Sequence, residues 1–317
     1  MSLSVPTYSG ENLNRVAFPL GGFGAGMMCL EGTGALSHSS LRHRPDVFNE
    51  PQVFSALFVK GTPTARLLEG PVPGWKAFGR PGSGNGGGGG VLGLPQFSQC
   101  SFSARFPFAE VALSDPSMPL SVGLTGWSPF TPGDADSSSL PVFALEYRFT
   151  NESKESAEAV YSFHAANIMR IKRDAPTEIR SQEGGFILSQ PATDDDPAAE
   201  GHFAARVDDP GVRSDCAWFR GGWFDARTMV WRTGQEGKDP ERPPHAEGGP
   251  GGGASLYVPF TLEPGESRTV RLLICWYVPR SDVRTGPDLD GAEVGECASG
   301  GCTCGGGPAA GRHETYI

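Results

Sequence analysis

Nowhere in the 317 residues do apolar side chains run for the roughly 18 positions that a membrane-spanning helix needs. The first residues, 1–14, carry neither the basic start nor the apolar stretch of a secretory leader, so the sequence reads as that of a cytoplasmic protein. Positive charge is scarce as well. With 26 Lys and Arg against 36 Asp and Glu, the formal charge is -10, a field that repels phosphate backbones and argues against nucleic acid as a partner. Helical periodicity is missing too. No segment convincingly places apolar residues at i, i+3, i+4 and i+7, and 45 Gly with 28 Pro, the two poorest helix formers, argue against long helices.

The motifs that carry familiar chemistry are incomplete. Gly21-Gly-Phe-Gly-Ala-Gly26 has the look of a phosphate loop, but Met27 stands three positions after Gly24, where a dinucleotide fingerprint requires glycine. No Gly-Lys-Ser/Thr ending follows and no βαβ unit surrounds it, so the favoured reading is a tight, closely packed backbone turn. Cys297-x4-Cys302-x-Cys304 offers three thiolates among glycines with His313 as the nearest histidine, which falls short of a metal site, and no cofactor is expected. Asp194-Asp-Asp196 ahead of Pro197 reads as a solvated loop. His38 lies between Ser37 and Ser39, yet adjacency along the chain does not make a nucleophile–base pair. Sugar hydrolysis needs two carboxyls facing each other, and among 36 acidic residues no pair can be singled out. Cys29, Cys100, Cys216 and Cys275 are scattered among apolar residues and read as buried thiols of a reducing compartment rather than disulfides. The sequon Asn151-Glu-Ser153 reads as fortuitous without an export signal.

What the chain does contain is period-two alternation. In Val142–Thr150, Phe143, Leu145, Tyr147 and Phe149 share one face while Ala144, Glu146 and Arg148 share the other, the pattern of a half-buried antiparallel strand. Thr269–Tyr277 repeats it, with Arg271 opposite Val270 and Leu272. Further strands are expected at Val53–Val59, Val160–Ala165, Phe186–Gln190, Met229–Trp231 and Ser255–Phe260, separated by turns such as Glu183-Gly-Gly185 and Glu263-Pro-Gly265. The expected fold is all-β: one large antiparallel β-sandwich over residues 1–280 with long Gly/Pro-rich loops. Gly82–Gly90 reads as a flexible loop, Gly234–Gly253 as a polar crossing between two strands, and 281–317 as a Gly/Cys-rich linker or disordered tail.

Aromatic clusters stand out against this background. Trp218-Phe-Arg-Gly-Gly-Trp-Phe-Asp225 sets four large rings, Arg220 and Asp225 around a Gly-Gly hinge, and Phe106-Pro-Phe108 and Trp127-Ser-Pro-Phe130 repeat the theme. Such rings either stack on sugars, or dock another domain, or fill the sandwich core. Taken in order, Phe18-Pro-Leu-Gly-Gly-Phe-Gly-Ala-Gly26, Asn49-Glu-Pro51 with Phe54-Ser-Ala56, Gly93-Leu-Pro95, Phe106-Pro-Phe108, Trp127-Ser-Pro-Phe130, Ser139-Leu-Pro141, the Trp218–Asp225 run, Gly252-Gly-Ala-Ser255 and Leu262-Glu-Pro-Gly-Glu266 resemble the N-terminal region of glycoside hydrolase family 116.

That resemblance covers about residues 15–280. It implies a parent with an N-terminal β-sandwich followed by a helical (α/α)6 barrel, in a family of β-glucosidases that includes non-lysosomal glucosylceramidases. In the family the barrel supplies the glutamate nucleophile and aspartate acid/base of a retaining mechanism. This chain ends at Thr315-Tyr-Ile317, about where a linker toward the barrel is expected, so no catalytic residue is assigned to any position. The expected role is that of a domain inactive alone, whose partner is the helical catalytic domain and which meets a β-glucoside only indirectly. Arg220, Trp223 and Asp225, together with the turn bearing Gly22 and Gly24, are the candidates for the interface or cleft. A stand-alone carbohydrate-binding or structural sandwich, and an independent hydrolase with its own carboxylate pair, are the alternatives.

Overall fold

The structure, a computed structural model, describes residues 5–42, 51–61, 64–72, 93–172, 174–221 and 226–281, with the backbone of 313–314. In chain order the strands are β1 (Thr7–Ser9), β2 (Ala17–Leu20), β3 (Met27–Glu31), β4 (Leu36–Ser40), β5 (Val53–Val59) and β6 (Ala65–Leu67). There follow β7 (Gln99–Arg105), β8 (Phe108–Ser114), β9 (Leu120–Trp127), β10 (Val142–Asn151), β11 (Ala157–Ala166), β12 (Glu178–Gln182) and β13 (Gly185–Gln190). The last are β14 (Gly201–Val207), β15 (Arg213–Asp215), β16 (Gly253–Leu262), β17 (Ser267–Tyr277), β18 (Arg280–Ser281) and β19 (His313–Glu314). Among the described residues, the α-helices are α1 (Ala135–Ser138) and α2 (Ala226–Gln235).

A nine-stranded antiparallel sheet, ordered β1-β7-β8-β9-β10-β17-β14-β13-β12, faces a five-stranded one ordered β15-β16-β11-β5-β6. The core lies between them. Tyr147 and Phe149 of β10 meet Tyr161 of β11 at ring separations of 5.1 and 5.9 Å, and Phe149 meets Phe260 of β16 at 5.1 Å. Alternation in β10 and β17 therefore has a simple cause: one face enters this core and the other faces outward. Val270, Leu272, Ile274 and Trp276 are buried while Thr269, Arg271, Cys275 and Tyr277 are exposed. The all-β, sandwich-like architecture matches the expectation.

β5 is buried at every residue, because the five-stranded sheet is covered on both sides. Its second face carries Phe54, Ala56 and Phe58, and α2 lies across it with Trp231 5.2 Å from the Phe58 ring. Here the structure corrects the sequence reading, since Met229–Trp231 is helix rather than strand and the polar crossing starts from a helix end. The helix was hidden because its buried side consists only of Val230, Trp231 and Gly234. Gly234, which costs about 1 kcal/mol in a helix interior, is there for space: a Cβ would stand 2.2 Å from the Phe58 ring.

The four scattered cysteines are free thiols, but only Cys29 and Cys216 are buried, Cys100 is half-buried, and Cys275 is exposed on the outer side of β17. Burial pushes Cys29 and Cys216 up to about 11. Asp194 and Asp195 are exposed, and Asp196 pairs with Lys172 at 3.3 Å, as suits a solvated loop. The glycine run 82–90, Asn49-Glu50 and Cys297, Cys302 and Cys304 lie outside the described residues. No helix among the described residues is long and apolar enough to cross a membrane.

Asn151 ends β10 almost wholly buried, donating to the carbonyls of Glu155 (2.8 Å) and Leu262 (2.9 Å) and accepting from the Ser153 amide and hydroxyl. The sequon is thus a structural corner that ties β10 to β16. Asn151→Ala removes the side-chain donor to the Leu262 carbonyl and the acceptor of the Ser153 amide, leaving Glu155 only the Ser153 hydroxyl (2.9 Å), and a loss of about 2 kcal/mol is expected in a urea unfolding curve.

Candidate functional site

β2 and β3 pair in register, Leu20 with Met28, and are joined by Gly21–Gly26. Gly21, Gly24 and Gly26 have φ of 139°, 75° and 96°, a region that side chains other than glycine enter only with strain. Space is the second reason for glycine. A Cβ at Gly22 would sit 2.3 Å from the Leu140 carbonyl oxygen, and one at Gly26 would sit 2.4 Å from that of Ser40. Hydrogen bonds fix what remains: the Gly21 amide donates to Ser128 Oγ (2.7 Å), the Phe23 amide to the Ser138 carbonyl (2.9 Å), and Trp276 Nε1 to the Ala25 carbonyl (2.7 Å). The expectation of a tight, closely packed turn holds for Gly22, while Gly24 faces open space and is set by φ alone.

The turn holds Phe23 out into solvent, 60% exposed. Phe106 and Phe130 stand beside it, with ring centroids 6.1 and 5.7 Å from Phe23 and 4.9 Å from each other. Pro19, Met27, Ser40, Pro107, Ser128 and Pro129 join the turn around a cavity of about 410 Å³ beside these rings. Ser138, at the end of α1, completes the support by bonding Thr131 through both its hydroxyl hydrogen and oxygen. Four separate segments, Gly21–Gly26, Phe106-Pro-Phe108, Trp127–Phe130 and Ser139–Pro141, therefore converge on one exposed apolar cluster. Sequence reading named each of them without their meeting.

Arg220 lies elsewhere. The cavity of about 240 Å³ that it lines with Asp215, Trp218, Arg242 and His245 shares no residue with the Phe23 cavity. Trp223 and Asp225 lie outside the described residues. Arg220 is exposed and donates to the carbonyls of Glu247 (2.8 Å) and Gly249 (2.6 Å), which pins its own loop to the 247–249 segment. Asp215 is buried and paired with both Arg242 Nε (2.9 Å) and Nη2 (2.6 Å). Trp218 is core, not platform: it is 2% exposed.

Its anchor is a polar chain that sequence reading missed. Trp218 Nε1 donates to Ser255 Oγ (2.8 Å), which lies 2.8 Å from His164 Nδ1, and His164 Nε2 lies 2.8 Å from Ser162 Oγ. The indole can only donate, so the assignment that satisfies every group has Ser255 donating to Nδ1 and Nε2–H donating to Ser162. That tautomer is neutral. Desolvation at a fully buried site holds His164 down at about 3. The only sequence signal was His164 and Ser162 two apart on one strand face, a pattern far too common to select.

The family model described as beta-glucosidase 2, glycosyl-hydrolase family 116 N-term matches residues 17–293. Comparison with curated proteins returns no match. Among solved structures, a polysaccharide lyase shares 13% identity at a TM-score of 0.33, over 88% of this chain and 33% of the lyase. A family GH92 alpha-mannosidase from Bacteroides thetaiotaomicron shares 11% at 0.31, over 84% of this chain and 32% of the mannosidase. A putative kojibiose phosphorylase from the human microbiome shares 9% at 0.31, over 57% and 19%. The chain thus spans about a third or less of the length of these proteins.

Two substitutions in the turn separate space from backbone strain. Gly22→Ala forces the 139–141 segment away and is expected to cost upwards of about 2 kcal/mol, whereas Gly24→Ala meets only its positive φ and costs about 1 kcal/mol; chemical denaturation reads both. His164 gives a pH signature. Its folded value lies below the ordinary 6.5, so between the two the unfolded chain binds the extra proton and stability falls as pH is lowered from about 6.5 toward 3. The loss from this group is up to about 1.4 kcal/mol per pH unit, and stability curves of His164→Phe are expected to be flatter across that window.

Proposed function

The chain belongs to the N-terminal domain family of glycosyl-hydrolase family 116, and from that membership we propose that it is the non-catalytic sandwich of a retaining β-glucosidase or glucosylceramidase, packing against a helical catalytic domain and shaping one wall of its cleft. The observation that carries this reading is the Phe23, Phe106 and Phe130 cluster. Three large apolar side chains stand 40–60% exposed, Phe23 on a turn that glycine geometry and hydrogen bonds make rigid and Phe106 and Phe130 on the segments beside it. An exposed apolar cluster on a soluble scaffold marks a surface that another body covers, and preorganised aromatics are the residues that concentrate binding energy there.

The polar chemistry supports the same division of labour. Each cavity described above is lined by at most one carboxylate among the described residues, and Asp215 is already engaged by Arg242. Hydrolysis by the usual route needs two. Arg220, Trp223 and Asp225 are the residues of the Arg220 loop that we propose for the interface or cleft, meeting a β-glucoside only through the assembled enzyme. The free thiols of Cys29, Cys100, Cys216 and Cys275 among the described residues, and the buried Asn151, support a cytoplasmic setting.

Pure chain assayed on an aryl β-glucoside is expected to show only background turnover, with activity appearing when the catalytic domain is joined to it; turnover by the chain alone overturns the reading. In a two-piece assembly, Phe23→Ser with Phe130→Ser is expected to weaken association by about tenfold or more, equivalent to about 1.4 kcal/mol. The doubly substituted chain keeps its melting profile, since both rings lie outside the core.

A further inference from the structure

The outer face of the nine-stranded sheet contains a trough that plays no part in the docking reading and shares no lining residue with the Phe23 cavity. Its floor is a cross-strand row, Cys275 on β17, Ala204 on β14, Ile187 on β13 and Arg180 on β12, aligned by the sheet register. Small side chains at Cys275 and Ala204 make the depression. Its wall is the next paired row, His202 with Tyr277. The volume of the open trough is about 320 Å³. Three inter-strand spacings of about 4.8 Å make the row some 14 Å long, enough for a short oligosaccharide.

The wall is built rather than incidental. His202 has both ring nitrogens engaged, Nδ1 2.8 Å from Ser189 Oγ and Nε2 3.2 Å from Glu200 Oε1, so its ring cannot turn. That fixed ring lies 5.9 Å from the Tyr277 ring at 29° and backs it. Tyr277 is 47% exposed, and neither its hydroxyl nor the exposed Arg180 guanidinium has a side-chain hydrogen bond or ion pair among the described residues. The trough thus presents the ring and unengaged hydroxyl of Tyr277 on its wall and an unengaged guanidinium at the far end of its floor.

This chemistry selects among ligands. The trough crosses β14 and β17 in the sheet interior, so a peptide cannot add as an extra strand, which needs a free edge. A formal charge of -10 opposes nucleic acid. A purely apolar chain leaves the guanidinium and phenol unused. A pyranose has an apolar C–H face for the ring of Tyr277 and hydroxyls for the polar groups.

We propose that this trough is a glycan-binding site, with Tyr277 the platform for a pyranose face, Arg180 an N–H donor to sugar hydroxyl oxygens and His202 the residue that positions the platform. The test is an NMR shift titration of the chain with cellotetraose, xylotetraose and chitotetraose. At least one is expected to give saturable shifts centred on β14 and β17, with the corresponding disaccharide binding more weakly because it fills less of the row. Tyr277→Ala is expected to weaken binding tenfold or more, and Ala204→Trp, which fills the floor, to abolish it while the melting profile stays unchanged. Failure of all three sugars to bind, shifts centred on Phe23 instead, or Tyr277→Ala binding as well as the native chain would each overturn the proposal. Docking of a catalytic domain is read separately, by the two-piece assembly.

Discussion

The indole of Trp276 is the contact on which the site depends. It sits on β17, the strand flanked by β10 and β14 within the large sheet, and its side chain is almost entirely buried, 6.2 Å from Phe143. Burying a tryptophan removes some 150–250 Å² from water, worth roughly 4–6 kcal/mol. The same ring closes the space beneath Gly21 and Gly26, where added Cβ atoms would come within 2.9 and 3.3 Å of it, and its Nε1 holds the Ala25 carbonyl. Its backbone amide donates to the Pro141 carbonyl at 3.1 Å, which places the segment that in turn closes over Gly22. Core stability and loop geometry are thereby one interaction: the turn cannot relax without unpacking the sandwich.

Rigidity of that kind explains why exposed phenylalanines can be useful here. An apolar side chain on a mobile loop loses conformational freedom when it is covered, a cost of about 0.5–1.5 kcal/mol for each ordered side chain. Phe23 is held by the hydrogen bond its amide donates to the Ser138 carbonyl, and its ring already packs with Phe106 and Phe130, so much of that ordering has been completed during folding. The glycines are what allow the backbone close enough to be held. A turn of ordinary residues would clash with Leu140 and Ser40 and would carry the ring elsewhere.

Legibility in the sequence followed solvent. β10 and β17 were readable because one face of each is outward, which stamps a period of two on the chain. β5 was readable for the opposite reason, as a short, almost wholly apolar run interrupted only by Ser55. Helix α2 was not, since its buried side is three residues, one of them glycine, and a glycine in sequence reads as a break before it reads as room for Phe58. The aromatic cluster was beyond reach of any local pattern. Gly21 meets Ser128 across 107 positions and Ala25 meets Trp276 across 251, so each segment was visible as a motif while their convergence is a property of topology. Asn151 shows a reading that was sound on other grounds: the sequon was discounted for want of an export signal, whereas its burial is what removes it from chemistry.

Alternation on β17 also ties the two proposed surfaces to each other. Trp276 points inward and organises the Gly21–Gly26 turn, while its neighbours Cys275 and Tyr277 point outward and form the trough. Adjacent residues on one strand cannot be displaced independently, because a slip of one position would exchange the faces of the whole strand. Pairing on both sides, Cys275 with Val142 and with Ala204, excludes such a slip. A glycan seated against Tyr277 would therefore be held at a fixed distance and angle from whatever covers Phe23, with no hinge between them. In an enzyme assembled on this domain, a sugar chain bound on the outer sheet would be presented at a set position relative to the cleft, and the stiffness of a single strand would set it.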